Sequence, residues 1–319
     1  MLGGLRRRAR SVAYGTDAGR VLPRIALSSE TRLPAVLLGA GEVRADVSAS
    51  WALVGWDPVR IAVGLDADDP LLGALDPGGA AALTVAPATR SGPRWRGHAG
   101  AESPLGHLLL EVEVAQEVAG RAVRVLRATA AESHLLRGRQ AWARRSRSSA
   151  ADPAEAVAWT VPRAIGLVTT AHGDDEHIFP VDLCGDLGGG VFALGLAPGS
   201  ASLAAIDGGG AFAWSTIDAS AGRSAHDLRF GHRRRTDGPL SADVRHYKRS
   251  PVHDLPLPMW ALRATELTPA GRIDGPRSIV LARTSPGFRV RDADALAHVH
   301  RDALAWRQGA GWATRLLPD

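Results

Sequence analysis

The chain has 319 residues, of which 45% are hydrophobic and 22% charged, a balance that supports a packed core and excludes a disordered or fibrous chain. Mean hydropathy is −0.05, no run approaches a membrane span, and no apolar signal segment follows Arg6-Arg7-Arg8, so the sequence predicts a cytoplasmic protein. The net charge of +5 is carried by arginine, Lys248 being the only lysine, and the scattered arginines argue against a nucleic-acid surface. Cys184 is the only cysteine, which excludes an intrachain disulfide and a cysteine-based zinc site.

In chain order, the first strong strand is Ile61-Ala62-Val63-Gly64-Leu65, followed by the acidic turn Asp66-Ala67-Asp68-Asp69 and a Gly78-Gly79 turn. Leu108 to Val118 and Ala122 to Leu126 alternate in character around Ala119-Gly120, the pattern of a hairpin. A basic, Ser/Ala-rich stretch from Arg137 to Ala150 reads as a linker, with a boundary near Asp152-Pro153.

The chain then repeats itself. Phe192-Ala193-Leu194-Gly195-Leu196 reproduces the first strong strand, and the spacing from Ala62 to Ala193 is 131 residues. At that spacing, without gaps, Leu72 meets Leu203, Asp76 meets Asp207, and Gly78-Gly79-Ala80 meets Gly209-Gly210-Ala211. A short helix from Leu203 to Ile206 is expected, and the pair Trp260 to Leu267 and Ser278 to Ala282 flanks Pro269-Ala270-Gly271, read as the turn of a closing hairpin. Asp292 to Trp306 places Leu296, Val299, Ala303, Leu304 and Trp306 at near-helical spacing and predicts a C-terminal helix. The expected architecture is mainly β, a tandem pair of small barrels with short helices. One repeat spans residues 22–135, a linker 136–156, the second repeat 157–290, and a helical extension 291–319.

Within the second repeat, His177-Ile178-Phe179-Pro180-Val181-Asp182-Leu183-Cys184-Gly185 resembles a segment of the flavin reductase-like FMN-binding split barrels. One branch of that family carries His-Asn-x-Phe-Pro-Thr-Asp-Leu-His-Gly there, and Phe179, Pro180, Asp182, Leu183 and Gly185 stand in its order and spacing. Gly195 to Ser202 echoes the family's Ser-Leu-Arg strand end, Phe230-Gly231-His232-Arg233-Arg234-Arg235 its Leu-Gly-Lys-His-His loop, and Leu257 to Leu262 its Pro-x-x-Ala-Leu strand. The likeness covers Val161 to Arg283. It departs at Ala197, where the family has arginine, and at Gly275-Pro276-Arg277-Ser278, where it has Gly-Ser-His. In the first repeat only Ser48-Ala49-Ser50-Trp51 and the turn Val54-Gly55-Trp56-Asp57-Pro58 resemble the family.

The resemblance implies a flavin, FMN or FAD, with NADH or NADPH as co-substrate, in an enzyme like the NAD(P)H:flavin oxidoreductases that can supply a partner monooxygenase. Phe179, Pro180, Asp182 and Leu183 would shape the ring site. Ser200 and Ser202, just before the short helix, would hold the phosphate with free backbone N–H groups, or one of them would simply cap the helix. His232, Arg233 and Arg234 would neutralise the phosphate, or would form a solvated basic loop. Asp182 can also cap a turn or pair with an arginine.

Since the family flavin lies between two barrels of a homodimer, a tandem chain implies that its repeats pair internally, as a monomer or within a further homodimer. The three carboxylates of Asp66, Asp68 and Asp69 oppose a phosphate in the first repeat, so one asymmetric site is expected. The alternative is a non-catalytic split barrel that has lost flavin and binds haem, a similar ligand or a protein partner. The histidines His226, His232, His246 and His253 are too irregularly spaced to define a metal site, and none is assigned.

Overall fold

A computed structural model of the chain describes residues 25–26, 34–56, 58–86, 94–95, 104–133, 153–172, 175–222, 225, 247–249, 256–258, 261–284, 296–299, 303–308 and 311–316. The first repeat opens with β1 (Ile25–Ala26), β2 (Ala35–Ala40), β3 (Val43–Asp46), β4 (Trp51–Trp56) and β5 (Val59–Leu65). It continues through a 3-10 turn at Leu72–Ala74 to β6 (Ala80–Ala86), β7 (Arg94–Trp95), β8 (Gly106–Val118) and β9 (Arg121–Ser133). The second begins with α1 (Pro153–Trp159), β10 (Arg163–Ala164), β11 (Gly166–His172), β12 (Asp175–Val181), β13 (Cys184–Asp186) and β14 (Val191–Leu196). Then come α2 (Ala201–Gly209), β15 (Phe212–Ile217), a 3-10 turn at Ala219–Ala221, β16 (Tyr247–Arg249), β17 (Pro256–Pro258), β18 (Ala261–Ile273) and β19 (Ser278–Arg283). Last are β20 (Leu296–Val299), β21 (Ala303–Gln308) and β22 (Gly311–Leu316).

Two antiparallel seven-stranded sheets dominate, ordered β3-β2-β6-β8-β9-β5-β4 and β12-β11-β15-β18-β19-β14-β13. Each strand of the first has its counterpart at the same place in the second, so the internal repeat read in the sequence is a repeat of topology, and the fold is mainly β as expected. In the hairpin joining β8 to β9, Ala119 (φ 52°) and Gly120 (φ 77°) both take positive φ, the two-residue turn that matches strand twist. The corresponding hairpin of the second repeat differs from the sequence reading. β18 continues through Pro269-Ala270-Gly271, where the register shifts, and the turn falls at residues 274–277. Proline lacks an N–H for the ladder but is tolerated at a bulge, and Asp274-Gly275-Pro276 is the stronger turn former.

The C-terminal segment also departs from expectation. In place of a helix over Asp292 to Trp306, β20, β21 and β22 form a four-stranded sheet in the order β10-β20-β21-β22. Short runs of Ala, Leu and Val satisfy either period, and two features decide it here. β21 pairs with β22 from Ala303 opposite Leu316 to Gln308 opposite Gly311, and β10 offers an edge on which β20 pairs, Arg163 opposite Ala297. Residues 153–156, read as the end of the linker, open α1. Its Val157 and Ala158 join Val161 in the core of the first repeat, with Leu38, Ile61, Leu83 and Leu126.

A second core, built on Phe179, Phe192, Phe212 and Trp214, fills the second repeat. A third lies between the sheets and draws on both: Ala52, Val54, Ala62, Val123 and Val125 face Leu187, Val191, Ala193, Ile279 and Leu281. Here β4 packs on β13 and β14, and the repeat-defining glycines explain how closely. A Cβ on Gly64 would stand 2.1 Å from the carbonyl oxygen of Leu187, and one on Gly195 would stand 2.0 Å from that of Val54. Only glycine fits either place. Arg121, at the start of β9, crosses the seam and donates from Nε to the Leu187 carbonyl at 3.0 Å and from Nη2 to the Gly64 carbonyl at 2.9 Å, and also pairs with Asp66. Its guanidinium lies beside Gly188 and its aliphatic stem beside Gly189, which take φ of 77° and 59°.

Replacing Gly64→Ala or Gly195→Ala forces two backbones apart, and each is expected to lower stability by about 2–3 kcal/mol, the cost of overpacking a dense core. Gly73→Ala is the control, because a Cβ there meets nothing within 4 Å. Urea unfolding followed by circular dichroism should show clear midpoint losses for the first two and almost none for the third.

Candidate functional site

The segment that carries the family likeness leaves β12 and enters β13 along the seam. Phe179 and Val181 point into the second core, Pro180 is half-buried opposite Leu167, and Leu183 is buried in the core of the first repeat. Cys184 returns to the second core, and Gly185 lies against Trp51 and Ala52 of β4, where a Cβ would meet the Ala52 Cβ at 2.8 Å. Consecutive side chains are therefore divided between two repeats.

Asp182 sits at the centre of this division. Its Oδ2 accepts from Arg163 Nη2 at 3.1 Å, and its carbonyl accepts from Arg163 Nε at 3.1 Å. The Arg163 side chain is 4% exposed, and its guanidinium carbon lies 4.8 Å from the ring centroid of Trp56 in the first repeat. Burial pushes the Arg163 pKa down and Asp182 pushes it back up, an arginine remaining charged in any case. Of the roles open to Asp182 from sequence, the structure shows the pair with an arginine. Arg163 was not picked out in the sequence, and Trp56 only as part of the turn from Val54 to Pro58. The available signal was a single arginine inside the apolar run from Val161 to Val168, which a buried strand can hold only beside a carboxylate.

Burial raises the pKa of Cys184 well above the ordinary thiol value, and the Asp182 charge adds to this, while the Trp214 indole and Arg163 act in the opposite direction. The thiol is neutral at all ordinary pH. Trp214 lies 5.9 Å from Phe192, centroid to centroid, and directly over Gly166, where a Cβ would meet its ring at 2.2 Å.

The predicted phosphate end lies at the start of α2, which packs on β11 and β12. Ser200 is the N-cap, its Oγ accepting from Leu203 N–H at 3.2 Å, so the capping role is realised. Ser202 is half-buried in the first turn, which holds no acidic residue. The equivalent place in the first repeat is chemically opposite. Asp69 Oδ1 accepts from Leu71 N–H at 2.9 Å, so a carboxylate occupies the donor, and Asp66 and Asp68 are exposed beside it. Each turn has one N–H taken by its own side chain, a hydroxyl in the second repeat and a carboxylate in the first, so it is the first that carries the charge opposing an anion. His232, Arg233 and Arg234 lie outside the described residues. Ala197 and Pro276 are exposed, whereas Arg277 lies 3.7 Å from where a Gly55 Cβ would be, in the first repeat.

The second repeat also holds buried polar atoms that the sequence did not single out. The hydroxyls of Thr169, Thr170 and Ser215 are buried without a hydrogen-bond partner, and such groups cost about 1–3 kcal/mol each. At the position matching Ser215 in the first sheet, Thr84 Oγ1 is bonded to His107 Nδ1 at 2.9 Å. No group of histidine, cysteine and carboxylate side chains among the described residues could hold a metal, and no described helix is long and apolar enough to cross a membrane.

No family model matches the chain, and no curated protein does. The chain is similar to solved structures of flavin reductases and FMN-binding proteins. BorF, the flavin reductase component of a bacterial two-component tryptophan halogenase, is 20% identical, with 50% of this chain and 92% of that chain covered and a TM-score of 0.34. The FMN-binding protein from Thermus thermophilus with bound 1-cyclohex-2-enone is 14% identical over 48% of this chain and 86% of that one, TM-score 0.35. The Streptomyces globisporus NADH:FAD oxidoreductase SgcE6, in complex with NAD and FAD fragments, is 14% identical over 50% and 87%, TM-score 0.34.

Cys184 is expected to ignore Ellman's reagent in the folded protein and to react stoichiometrically in 8 M urea; rapid reaction of the native thiol would contradict its burial. The raised folded pKa also has a sign for stability. The contribution is whole below the unfolded thiol pKa of about 8.5 and is lost as pH rises beyond it. The stability difference between wild type and Cys184→Ala should therefore narrow between about pH 8 and 10.

Proposed function

We propose that the chain is a flavin-dependent oxidoreductase of the NAD(P)H:flavin reductase kind, with one FMN or FAD site built on the second repeat and walled by the first. The observation that carries this reading is the contrast of charge between the two equivalent turns: Ser200 and Ser202 with no acid in the first turn of α2, against Asp69 as the capping residue with Asp66 and Asp68 beside it in the first repeat. The resemblance of Phe179 to Gly185 and of the His232 to Arg234 loop supplies the ring and phosphate assignments.

In this reading a bound flavin supplies two-electron redox chemistry, accepting hydride from NADH or NADPH. The chain's own residues position and exclude water: the α2 N-terminus and Ser202 hold the phosphate, Arg233 and Arg234 neutralise it, and Pro180 and Asp182 border the ring. No side-chain acid is required, which suits a seam whose ion pair and thiol are buried. The enzyme would act alone or supply a partner monooxygenase. Because the two repeats already pair within one chain, the site needs no second copy.

Titration of the purified protein with FMN and FAD, followed by flavin fluorescence, is expected to saturate at about one flavin per chain. Combining Ser202→Ala with Arg233→Ala should weaken FMN binding by about tenfold or more, since charge-assisted phosphate contacts are the strong ones. Two equivalents per chain would reject the asymmetry, unchanged affinity in the double variant would reject the phosphate assignment, and no binding of either flavin would reject the reading.

A further inference from the structure

The two seven-stranded sheets share a strand order, so their outward faces can be compared row by row. In the first sheet one row across β3, β2, β6, β8 and β9 is Arg44, Gly39, Ala82, Leu109 and Ala130. The next row is Asp46, Leu37, Thr84, His107 and Glu132. Both rows lie on the side away from the first core, to which the same strands send Leu38, Leu83 and Leu108. In the second sheet the matching rows are Thr169, Ala213 and Glu266, then Leu167, Ser215 and Ala264.

These equivalent faces differ in cover and in one side chain. Leu167, Thr169, Ala213 and Ser215 are fully buried, whereas Leu37, Gly39, Ala82 and Thr84 are half-buried. Glu266 is exposed, and Leu109 in its place is 53% exposed, the one large hydrophobic side chain so open among the described residues. The glutamate shows that this sheet position needs no apolar side chain, and a leucine left half in water adds little to its own fold. A single exposed leucine is ordinary. This one stands on a flat face with Gly39, Ala82 and Ala130, whose small side chains let a second sheet lie about 10 Å away.

Charge indicates which surface fits. On the far side of the Leu109 row come Ala80, Glu111 and Arg127, so that row runs between one ending in the exposed Glu132 and one ending in Arg127. A two-fold axis along the Leu109 row exchanges its flanking rows. It sets Glu132 of one copy against Arg127 of the other, and Leu109 against Leu109. Arg127 holds Glu113 through Nε and Glu111 through Nη2, which leaves Nη1 for a carboxylate across the axis. At the β3 edge the two Arg44 side chains approach each other, each with Asp46 two residues along its own strand. The face is thus complementary to itself, as a two-fold contact requires.

We propose that two copies of this chain pair through the outward face of the first sheet, on a two-fold axis that crosses the strands along the Leu109 row. This contact is separate from the seam between the repeats, and it does not depend on the flavin reading. Leu109 is its apolar centre, and Glu132 with Arg127 sets its direction.

The test is analytical ultracentrifugation of the full chain, comparing wild type with Leu109→Glu, Leu109→Met and Glu132→Arg, each checked for its fold by circular dichroism. Leu109→Glu places in the first sheet the residue that the second sheet carries at the matching position, so the fold should be kept. Wild type is expected to be a dimer at micromolar concentration, and Leu109→Met should match it. Leu109→Glu should raise the dimer Kd by about a hundredfold, because it sets like charges on the axis in place of an apolar contact. Glu132→Arg should raise it by about fivefold at low ionic strength, with the difference shrinking in high salt. A monomeric wild type would overturn the proposal and leave this face to a partner of another sequence. A dimer indifferent to Leu109→Glu would overturn it by placing the interface elsewhere. If Leu109→Glu does not fold, an unchanged dimer in Glu132→Arg overturns it instead. Flavin bound per chain should be the same in every folded variant, so the flavin reading stands or fails by its own titration.

Discussion

Two backbone approaches across the seam set the terms for the rest of this molecule. Gly64 and Gly195, equivalent in the two repeats, each bring a strand so near the other repeat that a single methyl group would meet a carbonyl oxygen at about 2 Å. Such closeness lets Ala62 and Ala193 sit in one shared core with Val54, Val125 and Leu281, at the density expected of a protein interior. Arg121 then locks the edge, spending its donors on carbonyls from both repeats. The site segment inherits its position from this contact, because β13 can reach β4 only where the strands are bare.

Two sheets of the same strand order carry uneven chemistry. In the first repeat polar groups are matched within the chain. Thr84 meets His107, Ser48 Oγ accepts from Val36 N–H at 2.6 Å, and Asp69 closes its own turn. The second repeat keeps Thr169, Thr170 and Ser215 buried and unpaired, and begins α2 with serines and no acid. Unpaired buried hydroxyls are uncommon in native proteins, and here they fall in the repeat whose sequence bears the flavin-like segment. The first repeat contributes a core for Leu183, α1 and Val161 and a ring for Arg163.

Much of the architecture was legible because it depends on short-range signals. The 131-residue repeat, the Ala119-Gly120 hairpin and the serine at the start of α2 are visible in consecutive residues and recur in the structure. The errors came where two local readings compete. Small apolar residues between Leu296 and Leu316 satisfy a helix as readily as strands, and pairing with β10 decided for strands. Pro269-Ala270-Gly271 carries turn residues but serves as a bulge inside β18, since the Asp274-Gly275-Pro276 turn closes the hairpin beyond it.

The sequence by itself determined that the chain is mainly β, with an internal likeness at a spacing of 131 residues, one cysteine and a segment in its second half that resembles one of the flavin reductase-like split barrels, because pattern, composition and motif are properties of neighbouring residues. Tertiary structure alone decided that Asp182 belongs to Arg163 and Arg163 to Trp56, that Leu183 is a core residue of the other repeat, and why glycine stands at 64 and 195. Apart from the Asp182–Arg163 pair, 19 residues apart, those facts depend on groups more than a hundred residues apart meeting in a low-dielectric seam, where a charge must find its partner and a backbone its clearance.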